Sequence, residues 1–301
     1  MSTRPGPGPG TSAAWRMAVR LPTLPAAIAP VLVGTGAAIG REQFEALPAV
    51  AALAGAVCLQ VGANLANDLF DFRKGTDTED RLGPPRATQT GALSERQVLA
   101  GMAVVFGLAT LAGAYLAVVA GWPVIAIGVT GIVAALAYTG GPWPFGYHAL
   151  GDVFTFVFFG VAAVGGTYYV QSEHLPGLAL AASLPMGCTV TAILVVNNLR
   201  DIPTDAATGK RTLAVLLGDR ATRAWYVFLV AAAIPLAAAT WLSGAAGPGV
   251  LLSVLALPAA FRPLRAVVSG VTGRPLNLAL KETARFHLVF GALFACGLAL
   301  S

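Results

Sequence analysis

AALAGAVCLQVGANLANDLFDFRKGTDTED, residues 51–80, changes character midway. As far as Ala63 it is small and apolar apart from Gln60; from Asn64 onward it carries amides and acids. Asn64, Asn67, Asp68 and Asp71 recur at i, i+3, i+4 and i+7, so they line one face of a helix. The stretch therefore reads as a lipid-embedded helix whose polar end emerges at the membrane edge. Ionisable groups there are costly and mark function. NNLRDIPTDAATGKRT, residues 197–212, repeats the pattern with Asn198, Asp201 and Asp205. Pro203 disfavours helical geometry at Ile202, so a kink or fray is expected there and strict facing of Asp205 is less secure than that of Asp71.

The composition agrees with lipid as solvent. Of 301 residues, 56% are hydrophobic and 11% charged, with mean hydropathy +0.73; soluble chains carry about 25% charged residues. A soluble globular class is excluded. The +5 charge does not point to nucleic acid, because the cations sit in short clusters between apolar runs. Cys58, Cys188 and Cys296 lie inside apolar runs without ligand spacing and read as buried packing residues. Residues 1–14, rich in Pro and Gly, read as a disordered tail without the features of a secretory signal. Residues 15–301 read as a single membrane domain.

A transmembrane helix needs roughly 20 mainly apolar residues. Runs of that kind lie near 20–40, 48–67, 97–120, 123–140, 150–170, 176–198, 224–243, 248–268 and 283–301. The expectation is an all-α integral membrane protein of about nine such helices. With helices at those positions, all 19 Lys and Arg residues except Arg41 fall on one side. The positive-inside rule then predicts N-in and C-out, with the loops near 68–96 and 199–223 in the cytoplasm.

Carboxylates crowded on one face repel unless a cation joins them, and hard oxygen ligands of this kind suit Mg²⁺, which bridges one or two carboxylates to phosphates. Arg73, Lys74, Arg81 and Arg86 follow the first cluster and Lys210 and Arg211 the second. Acids for a metal with cations beside them form a cradle for a diphosphate. The bland alternative is a pair of hydrated helix ends with topology-setting cations. Tyr138, Trp143 and Tyr147 read either as an interfacial aromatic belt or as the lining of an aromatic or isoprenoid pocket. His148, His174 and His287 are scattered and form no ligand set.

NDLFD (67–71) and RDIPTD (200–205), followed by GKRTLAVLLG (209–218), resemble the aspartate-rich motifs of the UbiA superfamily of intramembrane prenyltransferases. RLPTLPAAIAPVLVGTG (20–36), DTEDRLGPPRATQTGALS (77–94), YTGGPWPFGYHALGDVFTFVFFG (138–160) and LNLALKETARFHLVFG (276–291) are similar to its 1,4-dihydroxy-2-naphthoate polyprenyltransferase branch. The resemblance covers nearly the whole chain. It implies a helical bundle around a central cavity and transfer of a polyprenyl group, from its diphosphate, to dihydroxynaphthoate with loss of CO₂. It implies that Asn67, Asp68, Asp71, Asp201 and Asp205 hold Mg²⁺, with Asp68, Asp71 and Asp201 catalytic. Asn64, Asn198, Arg73, Lys74, Arg81, Arg86, Lys210 and Arg211 would serve the diphosphate, and Tyr138 and Tyr147 the aromatic pocket. The commonest first motif has a further acid where Gly75 stands; Asp77 or Asp80 would substitute for it. Asp71 is the candidate to take a phenolic proton.

Rival readings are an ion-coupled transporter, which needs acids near the bilayer midplane rather than at helix ends, and a membrane scaffold, which leaves the polar motifs unexplained. Within the superfamily, homogentisate, hydroxybenzoate, haem and non-aromatic acceptors are the alternatives.

Overall fold

The structure, a computed structural model, describes residues 11–77 and 81–301. Most of the expected tail and Asp80 lie outside the described residues. The described residues are mainly helical, with longer connections between Arg73 and Glu95 and between Ala137 and Gly151 and one bridge joining His148 and Arg211. We number the helices α1 (Ser12–Val19), α2 (Pro25–Ile39), α3 (Ala46–Arg73), α4 (Glu95–Ala120), α5 (Trp122–Ala137), α6 (Gly151–Ser172), α7 (Gly177–Ala207), α8 (Leu213–Leu242), α9 (Pro248–Val268) and α10 (Leu276–Ala299).

Helix begins at Ser12, inside the stretch 1–14 assigned to the tail, because Thr11 Oγ1 caps the Ala14 amide and Ala14 is fully buried. The run expected from residue 20 is broken: α1 with its following turn meets α2 at 49°. Pro22 and Pro25 supply the reason, since each lacks an amide for the preceding turn and each opens a new helical segment. The kink expected near Pro203 is not a helix end. The α7 helix continues through Pro203 to Ala207, where the Thr204 and Thr208 hydroxyls return to the carbonyls of Asp201 and Thr204. Burial outweighs the local preference: 78% of the apolar window of α7 is buried, against 17% for α4.

The α7 helix is thus the centre of the bundle, packed on α8, α10 and α6, while α3 packs on α4 and α2 on α10. Small residues permit the close crossings; a Cβ on Gly36 of α2 would meet the Ala295 carbonyl of α10 at 2.3 Å. Elsewhere large apolar side chains point outward, Val118, Trp122 and Leu242 among them, a surface that lipid tolerates and water does not. Cys188 is buried as expected, but Cys58 is half-buried and Cys296 faces outward on α10, where a thiol costs little in lipid.

Among the described residues, six helices (α3, α4, α6, α7, α8 and α9) are long and apolar enough to cross a membrane, or seven if the bent α1–α2 pair is one span. The α5 helix is shorter, with 16 residues, and α10 carries Lys281, Glu282 and Arg285 near its start.

Candidate active site

The polar ends of α3 and α7 open into one shared cavity of about 660 Å³. Asn64, Asn67 and Asp71 line it from α3, Asp201 and Asp205 from α7, and Arg81, Arg86, Lys210 and Tyr138 from the connecting segments. Its apolar part runs between α3, α4, α5 and α6 past Ala52, Gly55, Gly113, Leu116 and Gly166. From Asp71 back to Ala52 along α3 is roughly 28 Å at the helical rise, close to the hydrocarbon thickness of a bilayer.

Asp71 is held on both oxygens: Arg86 donates to Oδ2 at 2.8 Å and the Tyr147 hydroxyl to Oδ1 at 2.8 Å. Burial and the Asp71 charge push the Tyr147 hydroxyl far above its ordinary pKa, so it stays protonated and donates. The Tyr147 ring lies beneath two ammonium groups, Lys74 at 4.7 Å and Lys210 at 5.3 Å. Lys210 also approaches Asp205 at 3.8 Å. Asp71, Tyr147, Lys210 and Asp205 thereby join the first acidic group to the second. The loop after α3 makes another link. Asp77 pairs with Arg81 and Arg86, and its carboxyl is raised because burial exceeds the pull of those two arginines. Burial alone would lower the Arg86 pKa, but Asp71 and Asp77 outweigh it and raise it. Asn277 then donates to the Leu82 carbonyl at 2.9 Å and accepts from Arg200 at 2.7 Å, while Arg200 Nε holds Asp201 at 2.7 Å.

The remaining motif residues point elsewhere. Asp68 accepts from the backbone amides of Ala87 and Thr88 at 3.1 and 3.2 Å and so shapes the loop that delivers Arg86. Arg73 is at the rim, paired with Glu95; two residues past Asp71 is about 200° around the helix. Asn198 is buried beside Asn197, and it is Asn197 that lines the cavity. Arg211 contributes backbone: its amide donates to the Tyr147 carbonyl and its carbonyl accepts from Ala149. Trp143 stacks on His148 at the surface, and Tyr147 stands behind Asp71.

A sequence model of the UbiA prenyltransferase family matches residues 27–299. This chain belongs to the UbiA prenyltransferase family. It is 42% identical over 287 residues to the 1,4-dihydroxy-2-naphthoate octaprenyltransferase of Mycobacterium tuberculosis, covering 95% of this chain and 97% of that protein. It is 35% identical over 295 residues to the protein of the same name from Escherichia coli, with 96% of each covered. The fold matches an apo UbiA homologue from Aeropyrum pernix with a TM-score of 0.70 at 18% identity, over 89% of this chain and 96% of that one. It also matches a UbiA homologue from Archaeoglobus fulgidus bound to DMAPP and Mg²⁺, with a TM-score of 0.64 at 16% identity over 93% and 99%.

The donor set of this UbiA-family chain suits an ion shared with substrate. Among the described residues no three Asp, Glu, His or Cys side chains form a metal cage. Mg²⁺ needs none, because it takes one or two carboxylates and completes its shell with water and phosphate oxygens. Asp205 Oδ2 is buried, accepts no hydrogen bond and sits on a cavity-lining residue, so it is free to bind such an ion.

Several cavity residues went unassigned in the sequence because they were counted as orientation-setting charges or passed over as amides: Arg16, Arg20, Asn197, Arg200, Asn277 and Lys281. Asn277 and Lys281 stand four apart on one helical face, which was the available signal for that pair, whereas Arg20 falls at the end of the first helix.

Proposed function

We propose that this UbiA-family enzyme transfers a polyprenyl group from its allylic diphosphate to 1,4-dihydroxy-2-naphthoate, giving a demethylmenaquinol for menaquinone biosynthesis. The observation that carries the reading is the single cavity with acids and cations at one end and a small-residue apolar slot along its length. Such a shape takes a molecule with a diphosphate head and an isoprenoid tail. The acceptor rests on full-length similarity to the naphthoate octaprenyltransferases.

Asp71, Asp201 and Asp205, with Asn67 alongside, would hold Mg²⁺ on the diphosphate. Bound there, Mg²⁺ supplies charge neutralisation of the leaving group. Arg81, Arg86 and Lys210 stabilise negative charge as it develops on the diphosphate, and the apolar slot keeps water from the allylic carbon. The allylic C–O bond breaks with its electron pair leaving on the diphosphate. The ring carbon bearing the carboxylate forms the new C–C bond, and the C–CO₂⁻ bond then breaks, returning its pair to the ring. Charge balances without a net proton transfer, because the carboxylate leaves as neutral CO₂. A phenolic base is therefore not required, which suits an Asp71 whose two oxygens already accept bonds.

The enzyme sits in the cell membrane with nine crossings, N-terminus inside and C-terminus outside, and its acidic end faces the cytoplasm. The distribution of cations supports this placement. The test is product analysis of membranes given prenyl diphosphate, Mg²⁺ and dihydroxynaphthoate. Prenylated, decarboxylated product is expected from the native chain and at least about 100-fold less from Asp71→Ala or Asp201→Ala. Near-native transfer in both variants would sink the site assignment.

A further inference from the structure

The glycines of the bundle fall into two groups. At Gly34 an added Cβ would meet the Val164 carbonyl at 2.5 Å, and at Gly160 it would meet Gly187 Cα at 2.7 Å; these residues let backbones touch. Gly55, Gly113, Gly128, Gly131 and Gly166 differ. They line the apolar part of the cavity. A Cβ on Gly113 or Gly128 would meet nothing within 4 Å, and on the other three nothing closer than 3.5 Å. Glycine weakens a helix interior relative to alanine, and no packed neighbour demands it at Gly113 or Gly128. What it preserves at these two positions is the empty width of the slot.

The slot has a length. Leu116, Ala120, Val124 and Val170 form a buried cluster with Ala51 and Ala52 packed against it, and Ala52, Leu116, Val124 and Val170 of that cluster line the cavity as its floor away from the acids. Gly55 faces Ala112, the neighbour of Gly113, at 3.7 Å and stands about 24 Å from Asp71 at the helical rise. Gly131 faces Leu59 at 3.5 Å, about 18 Å from Asp71, and Gly128 lies between Gly131 and the floor residue Val124 along α5. At the other end the same cavity meets the buried Asp205 Oδ2, which accepts no hydrogen bond, so the slot is continuous with a place for a charged head. An isoprenoid unit adds four chain bonds, about 5 Å when extended. An extended tail held by its diphosphate at Asp71 therefore reaches Gly113 and Gly128 with about its fifth unit, and a three-unit tail ends short of them.

We infer that Gly113 and Gly128 are specificity-determining residues for donor length, keeping the far part of the slot open to polyprenyl tails of about five units or more. The inference rests on the prenyl-transfer reading above and adds to it the class of donor, long-chain rather than short. A side chain at either position would fill the path of the later units without touching the head, the acids or the early units.

The experiment gives the full chain in membranes Mg²⁺, dihydroxynaphthoate and either farnesyl diphosphate, with three units, or octaprenyl diphosphate, with eight. Gly113→Leu and Gly128→Leu should each lower kcat/KM for the octaprenyl donor about tenfold or more and leave farnesyl transfer unchanged; Gly113→Ala should fall between. Gly107→Leu places the same side chain on α4 where a Cβ also meets nothing within 4 Å, at an exposed residue, and should change neither donor. The melting temperatures of Gly113→Leu and Gly128→Leu should not fall, because the added atoms enter open space. Equal loss with both donors, no loss with the octaprenyl donor, or a lowered melting temperature overturns the inference. A native enzyme that makes no product from either donor overturns the function reading itself, a separate result.

Discussion

Two aspartates, one from each acidic group, have different work to do. Asp68 spends both oxygens on the amides of Ala87 and Thr88, whereas Asp205 keeps a buried oxygen free beside the cavity. Asp68→Asn turns one acceptor into a donor facing an amide, which costs about 1–3 kcal/mol. It should lower the melting temperature and the activity together, because the loop carrying Arg86 loosens. Asp205→Asn breaks no strong bond and should leave the melting temperature in place while reducing transfer about 100-fold. Thermal unfolding alongside product formation separates the two. Equal melting shifts in both variants would contradict this division. The sequence showed both residues on polar helix ends; it had no means to show which neighbours claim their oxygens, since Ala87 and Thr88 lie far along the chain.

At the scale of elements, the bundle depends on backbone contact as much as on side chains. The α2–α10 crossing leaves no room for a methyl group at Gly36, where the Ala295 carbonyl would be 2.3 Å away. Gly36→Ala should force the helices apart at about 1–3 kcal/mol, read as a lower melting temperature in detergent. An unchanged value would mean the crossing is looser than drawn. Helical period alone located α3 and α7 and their polar faces. It missed the 49° break at Pro25, and it overrated Pro203 because a local preference of this size yields to burial along the whole of α7.

Over the whole molecule, the distribution of cations is what the proposed orientation rests on. With Cys58, Cys188 and Cys296 replaced, a single cysteine at Thr208 should react with an impermeant thiol reagent only after the inner face is opened. One at Glu173 should react in intact cells. The reverse pattern would invert the proposed topology. Chelation should abolish transfer and added Mg²⁺ restore it, with little change in thermal stability, since the acids are already neutralised by Arg81, Arg86, Arg200 and Lys210.

Periodicity and composition by themselves determined that this chain lives in lipid and that two of its helices end in acidic groups. They could do so because hydropathy and the 3.6-residue period are local quantities. Tertiary structure alone decided that both groups open into one hollow, that Asn64 steadies a backbone break, and that Arg20 faces the cavity with a buried donor to spare. Those facts depend on which distant segments meet, and the meeting is fixed by close packing of the bundle and by the pairing of every buried charge it can reach.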